Sequence, residues 1–164
     1  MVTMNLIFLD IDGVLNSEEY ALKCSAEEDT RYTFESLDPA CVRALNRLCT
    51  EGQAVCVLSS VWRINWTLPG MQAHLEKFGF TGRVVDKTPL LRGRDGKDAE
   101  RGFEIAAYLS NCQRHGPEVD AFVILDDDSD MGPLMPFLVK TEFKKGLTEA
   151  HVDQALALLR RGTK

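Results

Sequence analysis

Three short clusters of this chain hold residues that can do chemistry together. The first is Asp10-Ile11-Asp12-Gly13, which follows a run of apolar residues. The second is Ser59-Ser60, again after an apolar run. The third is Asp126-Asp127-Asp128-Ser129-Asp130, after a third such run. If the three runs are adjacent parallel strands, their polar ends meet in one crevice. Carboxylates gathered there repel one another by about 4 kcal/mol per pair at about 4 Å and an effective dielectric near 20. A divalent cation removes that repulsion, and a small set of oxygen-only ligands points to Mg²⁺. A carboxylate at such a place can also attack phosphorus and form an aspartyl-phosphate. Asp10, at the strand tip, is placed for that attack. Asp12 points the same way if the chain stays extended, and it can protonate a leaving oxygen and later activate water. Gly13 allows a sharp turn and a close approach to a ligand. Ser59, with the backbone N–H groups that follow it, can hold phosphoryl oxygens. A cation for the developing charge can come from Arg101, Lys97 or Lys87.

The elements that must position these groups are legible from hydrophobic pattern. Asn5–Ile11 is a near-continuous apolar strand, as expected for one buried on both faces of a parallel sheet. Residues 16–36 read as a polar loop or small insert. Asp38-Pro39 starts a helix as N-cap and first-turn proline. Its apolar face is Val42, Leu45, Leu48 and Cys49, and Gly52 stops it. Ala54–Leu58 is the second strand. A helix over Met71–Lys77, a strand near Arg83–Val85 and a basic loop over Leu90–Lys97 follow. A helix over Glu100–Asn111 carries Phe103, Ile105, Ala106 and Leu109 as its apolar positions. Ala121–Leu125 and Phe137–Lys140 are the last strands, and Thr148 caps a final helix over Glu149–Arg161. This alternation predicts a three-layer α/β, Rossmann-like fold with a mostly parallel sheet. Ligands of such sheets bind beyond the carboxyl ends of the strands, where the three clusters lie.

Composition narrows the function. The 164 residues suit a single domain. The net charge of −6 argues against sequence-blind adhesion to a polyanion. It leaves room for a local basic strip: Arg83, Lys87, Arg92, Arg94, Lys97 and Arg101. The interspersed Asp86, Asp95, Asp98 and Glu100 equally suit a solvated mixed-charge loop. No apolar stretch reaches the roughly 18 residues of a membrane span, and Asp10 and Asp12 interrupt the first apolar run, unlike a signal peptide. Five cysteines without CxxC spacing read as reduced, mostly buried thiols of a cytoplasmic protein. Asp126-x-Asp128-x-Asp130 is not an EF-hand loop, because Met131 and Phe137 stand where Gly and Glu are needed. The Gly93–Lys97 loop lacks P-loop spacing and the Ser or Thr after lysine. His74, His115 and His151 have no partners in a ligand pattern and read as structural.

The residues also resemble a known family. Phe8-Leu9-Asp10-Ile11-Asp12-Gly13-Val14-Leu15-Asn16 resembles the first motif of haloacid dehalogenase-like (HAD) phosphatases. Val57-Leu58-Ser59-Ser60 is similar to the second, and Ile124-Leu125-Asp126-Asp127 to the fourth. The match is closer still to the HAD domain of the so-called Swiss army knife RNA repair proteins. The residues carrying it are Leu58-Ser59-Ser60 with Trp62-Arg63, Thr88-Pro89, Arg101 with Glu104-Ile105, Leu125–Asp128, and Gly146-Leu147-Thr148. The resemblance implies Asp10 as nucleophile, Asp12 as acid/base and Ser59 on the phosphoryl group. It implies Mg²⁺ on Asp10, Asp127 and the Asp12 carbonyl, with Asp126 and Asp130 orienting the metal's waters. For the cation, Arg101 is favoured because it opens the helix leading into the acidic strand, with Lys97 next. Ser60 and Arg63 join Gly13 and Lys97 as candidate substrate-binding residues. Ser59 can alternatively cap the next helix, and Arg63 can alternatively form an ion pair. The room for insertions is too short for a large cap domain. An uncapped site admits a bulky phosphorylated substrate, such as a nucleic-acid end or nucleotide. Tyr20, Tyr32, Phe34, Trp62 and Trp66 can stack on a base, although tryptophans at such positions are more often packing residues than base platforms. Two other readings use the same residues: a small-metabolite phosphatase or phosphotransferase, and a non-catalytic module that binds phosphate or a partner. No obligate protein partner is evident.

Overall fold

The computed structural model describes residues 3–162. Five strands form one sheet: β1 (Thr3–Leu9), β2 (Ala54–Leu58), β3 (Val84–Lys87), β4 (Glu118–Asp126) and β5 (Leu138–Lys140). Their order is β3-β2-β1-β4-β5, and every neighbouring pair is parallel. Four α-helices lie in the connections, α1 (Glu18–Ala26), α2 (Pro39–Glu51), α3 (Leu68–Lys77) and α4 (Arg101–His115), a 3-10 turn (Gly132–Phe137) joins β4 to β5, and α5 (Glu149–Arg161) follows β5.

The pleat sends alternate residues of a strand to opposite faces, and each face has its own core. Ile7 and Leu9 of β1 pack with Cys56, Leu58, Val123 and Leu125 under α2, α3 and α5. Leu6 and Phe8 pack with Val57, Phe122, Ile124 and Met131 under Ile105 of α4. Apolar residues on both faces explain why β1 reads as a continuous run. The result is a three-layer α/β, Rossmann-like architecture. Among the described residues no helix is long and apolar enough to cross a membrane.

The caps expected at Asp38, Gly52 and Thr148 are where the sequence puts them. Helix α3 starts at Leu68 rather than Met71 and β4 at Glu118 rather than Ala121, and three further elements differ from expectation. The polar 16–36 segment contains α1, started by the Ser17 hydroxyl accepting from the Tyr20 N–H. Only Cys24 of this helix is buried, so it shows no apolar stripe to read. In α4, Phe103 and Ala106 face solvent, while the charged Glu104 is buried because Arg63 pairs with it. Strand β1 ends at Leu9 rather than Ile11, because the Ile11 carbonyl already accepts turn bonds from the Val14 and Leu15 N–H groups. Among the described residues no large cap covers the sheet end. The connections after β1 and β2 hold α1, nine residues long, and a four-residue 3-10 turn (Val61–Ile64).

Candidate functional site at the carboxyl end of the sheet

Strand register builds the centre of the site. Leu9 of β1 is level with Leu58 of β2 and with Leu125 of β4. The next residue of each strand is therefore in one row: Asp10, Ser59 and Asp126. Backbone bonds continue the ladder one step further, with Asp10 N–H donating to the Leu125 carbonyl (3.0 Å) and Ser59 N–H to the Leu9 carbonyl (2.8 Å).

Carboxylate oxygens of Asp10, Asp126 and Asp127 lie within 4.8 Å of one another. Asp10 and Asp126 are buried. Burial first, and the neighbouring Asp126 second, push the Asp10 carboxyl up to about 8. Burial likewise raises Asp126 to about 6, against the Asp128 N–H that bonds its Oδ1 at 2.9 Å. Arg101 opposes both shifts. Two buried acids, Asp10 and Asp126, disfavour ionisation without a counter-charge, and with Asp127 beside them the all-oxygen set fits a hard divalent cation such as Mg²⁺. Asp10, Asp126 and Asp127 are the residues that would hold it.

Gly13 has a specific part in this cluster. Its φ is +77°, and a Cβ there would fall inside the Asp127 carboxylate. Its N–H donates to Asn16 Oδ1 (2.9 Å) and its carbonyl accepts from Thr141 Oγ1 (2.7 Å). The expected close approach is thus to Asp127, with both backbone groups held by the protein.

Asp12 is set apart from the triad. The chain turns after Asp10 rather than staying extended, and the Asp12 carboxylate is not in the metal-type group. Trp62 Nε1–H donates to Asp12 Oδ2 (3.0 Å), and Asn16 Nδ2–H donates to Oδ1 (2.8 Å). Both oxygens are therefore oriented. Sequence reasoning assigned no such role to Asn16 or Trp62. Asn16 was within reach of it, because a side-chain amide three and four residues from Gly13 and Asp12 can close a local turn. Trp62 was not, since its partner is 50 residues away.

Ser59 is 1 % exposed, and its hydroxyl has no hydrogen-bond partner among the described residues. A buried unpaired hydroxyl costs free energy unless something else occupies it. Its carbonyl accepts from the Arg101 guanidinium. Arg101 is the first residue of α4, and its backbone N–H donates to Asp130 Oδ2 (3.0 Å). Gly102 lets this helix start lie directly against the Met131 backbone, where any Cβ would collide. Asp130 thus serves the helix N-terminus.

The other candidate cations are engaged differently. Lys87 Nζ donates to the Arg63 carbonyl (3.1 Å), and Lys97 is exposed in the 92–98 turn. The basic strip is dispersed over β3, this turn and α4. Ser60 is fully buried and caps the 3-10 turn, accepting from the Trp62 N–H (3.2 Å). Arg63 is also buried: Nη2 pairs with Glu104 Oε2 (2.7 Å), Nη1 donates to the Ser60 carbonyl (2.7 Å) and Nε to the Thr88 carbonyl (3.2 Å). For Arg63 the structure shows the ion pair, the alternative open in the sequence, and the cap expected of Ser59 is made by Ser60 instead.

The histidines at 74 and 151 are bound to the fold. His74 Nε2–H donates to the Glu35 carbonyl (2.7 Å), and His151 completes the capping box of α5. All five cysteines are buried and free.

Comparison with known proteins agrees with this architecture. The HAD domain of effector protein Lem4 from Legionella pneumophila superposes with a TM-score of 0.53 over 99% of this chain and 98% of that one, at 16% sequence identity. At that identity the likeness is one of fold. A search of curated proteins gave no match. The family model for the HAD domain in Swiss Army Knife RNA repair proteins matches residues 6–152. With that match over most of its length, on the fold and strand-end residues described above, the chain belongs to the family of HAD domains found in Swiss Army Knife RNA repair proteins.

Proposed function

We propose that this chain is a single-domain, cytoplasmic, Mg²⁺-dependent phosphomonoesterase that works through an aspartyl-phosphate on Asp10. The observation that carries this reading is the buried row at the strand ends, with Asp10 beside Asp126 and Asp127 and the unpaired Ser59 hydroxyl level with it. The family suggests phosphatase-type chemistry in the same direction.

In this reading the Asp10 carboxylate attacks phosphorus as the bond to the ester oxygen breaks. Asp12 gives its proton to that oxygen. It then takes a proton from the water that attacks the aspartyl-phosphate, returning Asp10 and releasing phosphate. The Ser59 hydroxyl donates to a phosphoryl oxygen, and Arg101 supplies fixed positive charge at the same place. Trp62 and Asn16 hold the Asp12 carboxylate in position. Mg²⁺, when held by Asp10, Asp126 and Asp127, supplies the charge that lets the acids stay ionised beside phosphate.

The absence of a large cap supports a bulky phosphorylated substrate, a nucleic-acid end or nucleotide. The test is phosphate release with and without Mg²⁺ from a 3′-phosphorylated oligonucleotide, mononucleotides and a panel of small phosphate esters. Release should require Mg²⁺ and disappear in Asp10→Asn. Undiminished release by that variant would overturn the assignment.

A further inference from the structure

Asp12 faces a second feature that the chemistry above does not use. A cavity of about 500 Å³ opens beside it, and its lining includes Phe34, Glu35, Trp62, Asn65 and Trp66. The indoles of Trp62 and Trp66 are near-parallel, 14° apart in plane with centroids at 6.1 Å. They are braced from behind. Trp66 packs on His74 (4.8 Å), which packs on Phe78 (5.3 Å). The bond from His74 to the Glu35 carbonyl ties the Phe34-Glu35 segment to the same stack. Phe34 itself is 83 % exposed. A large aromatic side chain left in water beside a rigid aromatic wall is a binding surface in waiting.

The position of Asp12 says what would occupy it. An acid that protonates the ester oxygen must touch the leaving group, so a cavity continuous with Asp12 lies on the leaving-group side. We infer that this cavity binds the base of a nucleotide leaving group, its ring against the Trp62 and Trp66 wall. The inference rests on the phosphatase reading for the role of Asp12. Three features of the lining select a nucleobase. The aromatic wall offers stacking, which every base accepts. The Asn65 amide and Glu35 carboxylate have no partners among the described residues, and they match the donors and acceptors on a base edge; a phenyl ring carries none. The two carboxylates, Asp12 and Glu35, repel a further phosphate, so the base rather than the backbone fits here.

Trp62 and Trp66 are the chain's two tryptophans, so intrinsic fluorescence reports on this cavity and, through Trp62, on Asp12, for which glycerol phosphate is the control. The probes are adenosine monophosphate, a 3′-phosphorylated oligonucleotide, glycerol phosphate and phosphotyrosine, titrated into the Asp10→Asn protein with and without Mg²⁺ in the buffer. Both nucleotide probes should quench saturably, and glycerol phosphate should not. In Phe34→Ala, whose folding is protected by the exposure of that residue, the apparent affinity for nucleotide should fall about tenfold. In the active protein the same substitution should lower the ratio of kcat/KM for nucleotide over glycerol phosphate by a similar factor, through KM. A preference for the oligonucleotide assigns the base to a strand end, and a preference for the monophosphate to a free nucleotide. Absence of saturable quenching, an unchanged ratio in Phe34→Ala, or preference for phosphotyrosine overturns the inference. Quenching without any phosphate release by the parent protein sinks the phosphatase reading and leaves the base site standing. Release with equal constants for nucleotide and glycerol phosphate does the reverse.

Discussion

Replacing Arg63 by Met separates two roles that its position near the site allows. Its guanidinium is 3 % exposed and its partner carboxylate, Glu104, 5 %. The pair is closed at 2.7 Å, and the same guanidinium serves the carbonyls of Ser60 and Thr88, while Glu104 Oε2 also accepts the Leu91 N–H (3.0 Å). Arg63→Met leaves a buried carboxylate without its counter-charge and the Thr88 carbonyl without its donor, while the Ser60 carbonyl keeps the backbone N–H of residue 63 (3.1 Å). Loss of one partner of such a pair costs about 3–5 kcal/mol. With a urea m-value of about 2 kcal/mol/M, the unfolding midpoint should fall by about 1.5–2.5 M. Glu104→Leu should be similarly harmful, because it strands the guanidinium. The double variant removes both charges, so it should be less destabilised than the sum of the two by about 2 kcal/mol or more. Urea unfolding followed by far-ultraviolet circular dichroism measures all three. A loss under about 1 kcal/mol in Arg63→Met, together with a large rise in KM, would refute the structural reading and return Arg63 to the substrate.

Other consequences follow from the same geometry. In chelator, the raised Asp10 and Asp126 carboxyls bind protons more tightly folded than unfolded. Stability should then be highest below about pH 4 on their account and fall as pH rises through about 6 and about 8. Thermal melts across that range should show the fall, Mg²⁺ should reverse it, and Asp10→Asn should flatten it; a melt that rises steadily with pH contradicts the account. Arg101→Gln should lower kcat by about 10²–10³-fold and keep the start of α4, since the backbone N–H at 101 keeps its bond to Asp130. Gly13→Ala forces a side chain into left-handed backbone and into Asp127. It should cost at least about 1 kcal/mol and weaken the rise in melting temperature on adding Mg²⁺.

Much of this was legible in the sequence, for physical reasons. Strands buried on both faces must be continuously apolar, so β1, β2 and β4 announced themselves, and the polar residue ending each marked the crevice. Helix caps are local chemistry, and Asp38, Gly52 and Thr148 could be read one residue at a time. Helix α1 escaped because only Cys24 of it enters a core. The burial of Glu104 escaped because its partner is 41 residues away.

The sequence by itself determined the α/β alternation, the three strand-end clusters and the candidates Asp10, Asp12, Ser59, Asp126 and Asp127, because each depends on residue type and near-neighbour spacing. Only the tertiary structure decided how they divide. Register put Asp10, Ser59 and Asp126 in one row, and the turn after Asp10 sent Asp12 to Trp62 and Asn16 instead of into the triad. The α4 start brought Arg101 to Ser59, while Lys87 bonds to backbone and Arg63 to Glu104. These are choices among partners far apart in the chain, and packing makes them.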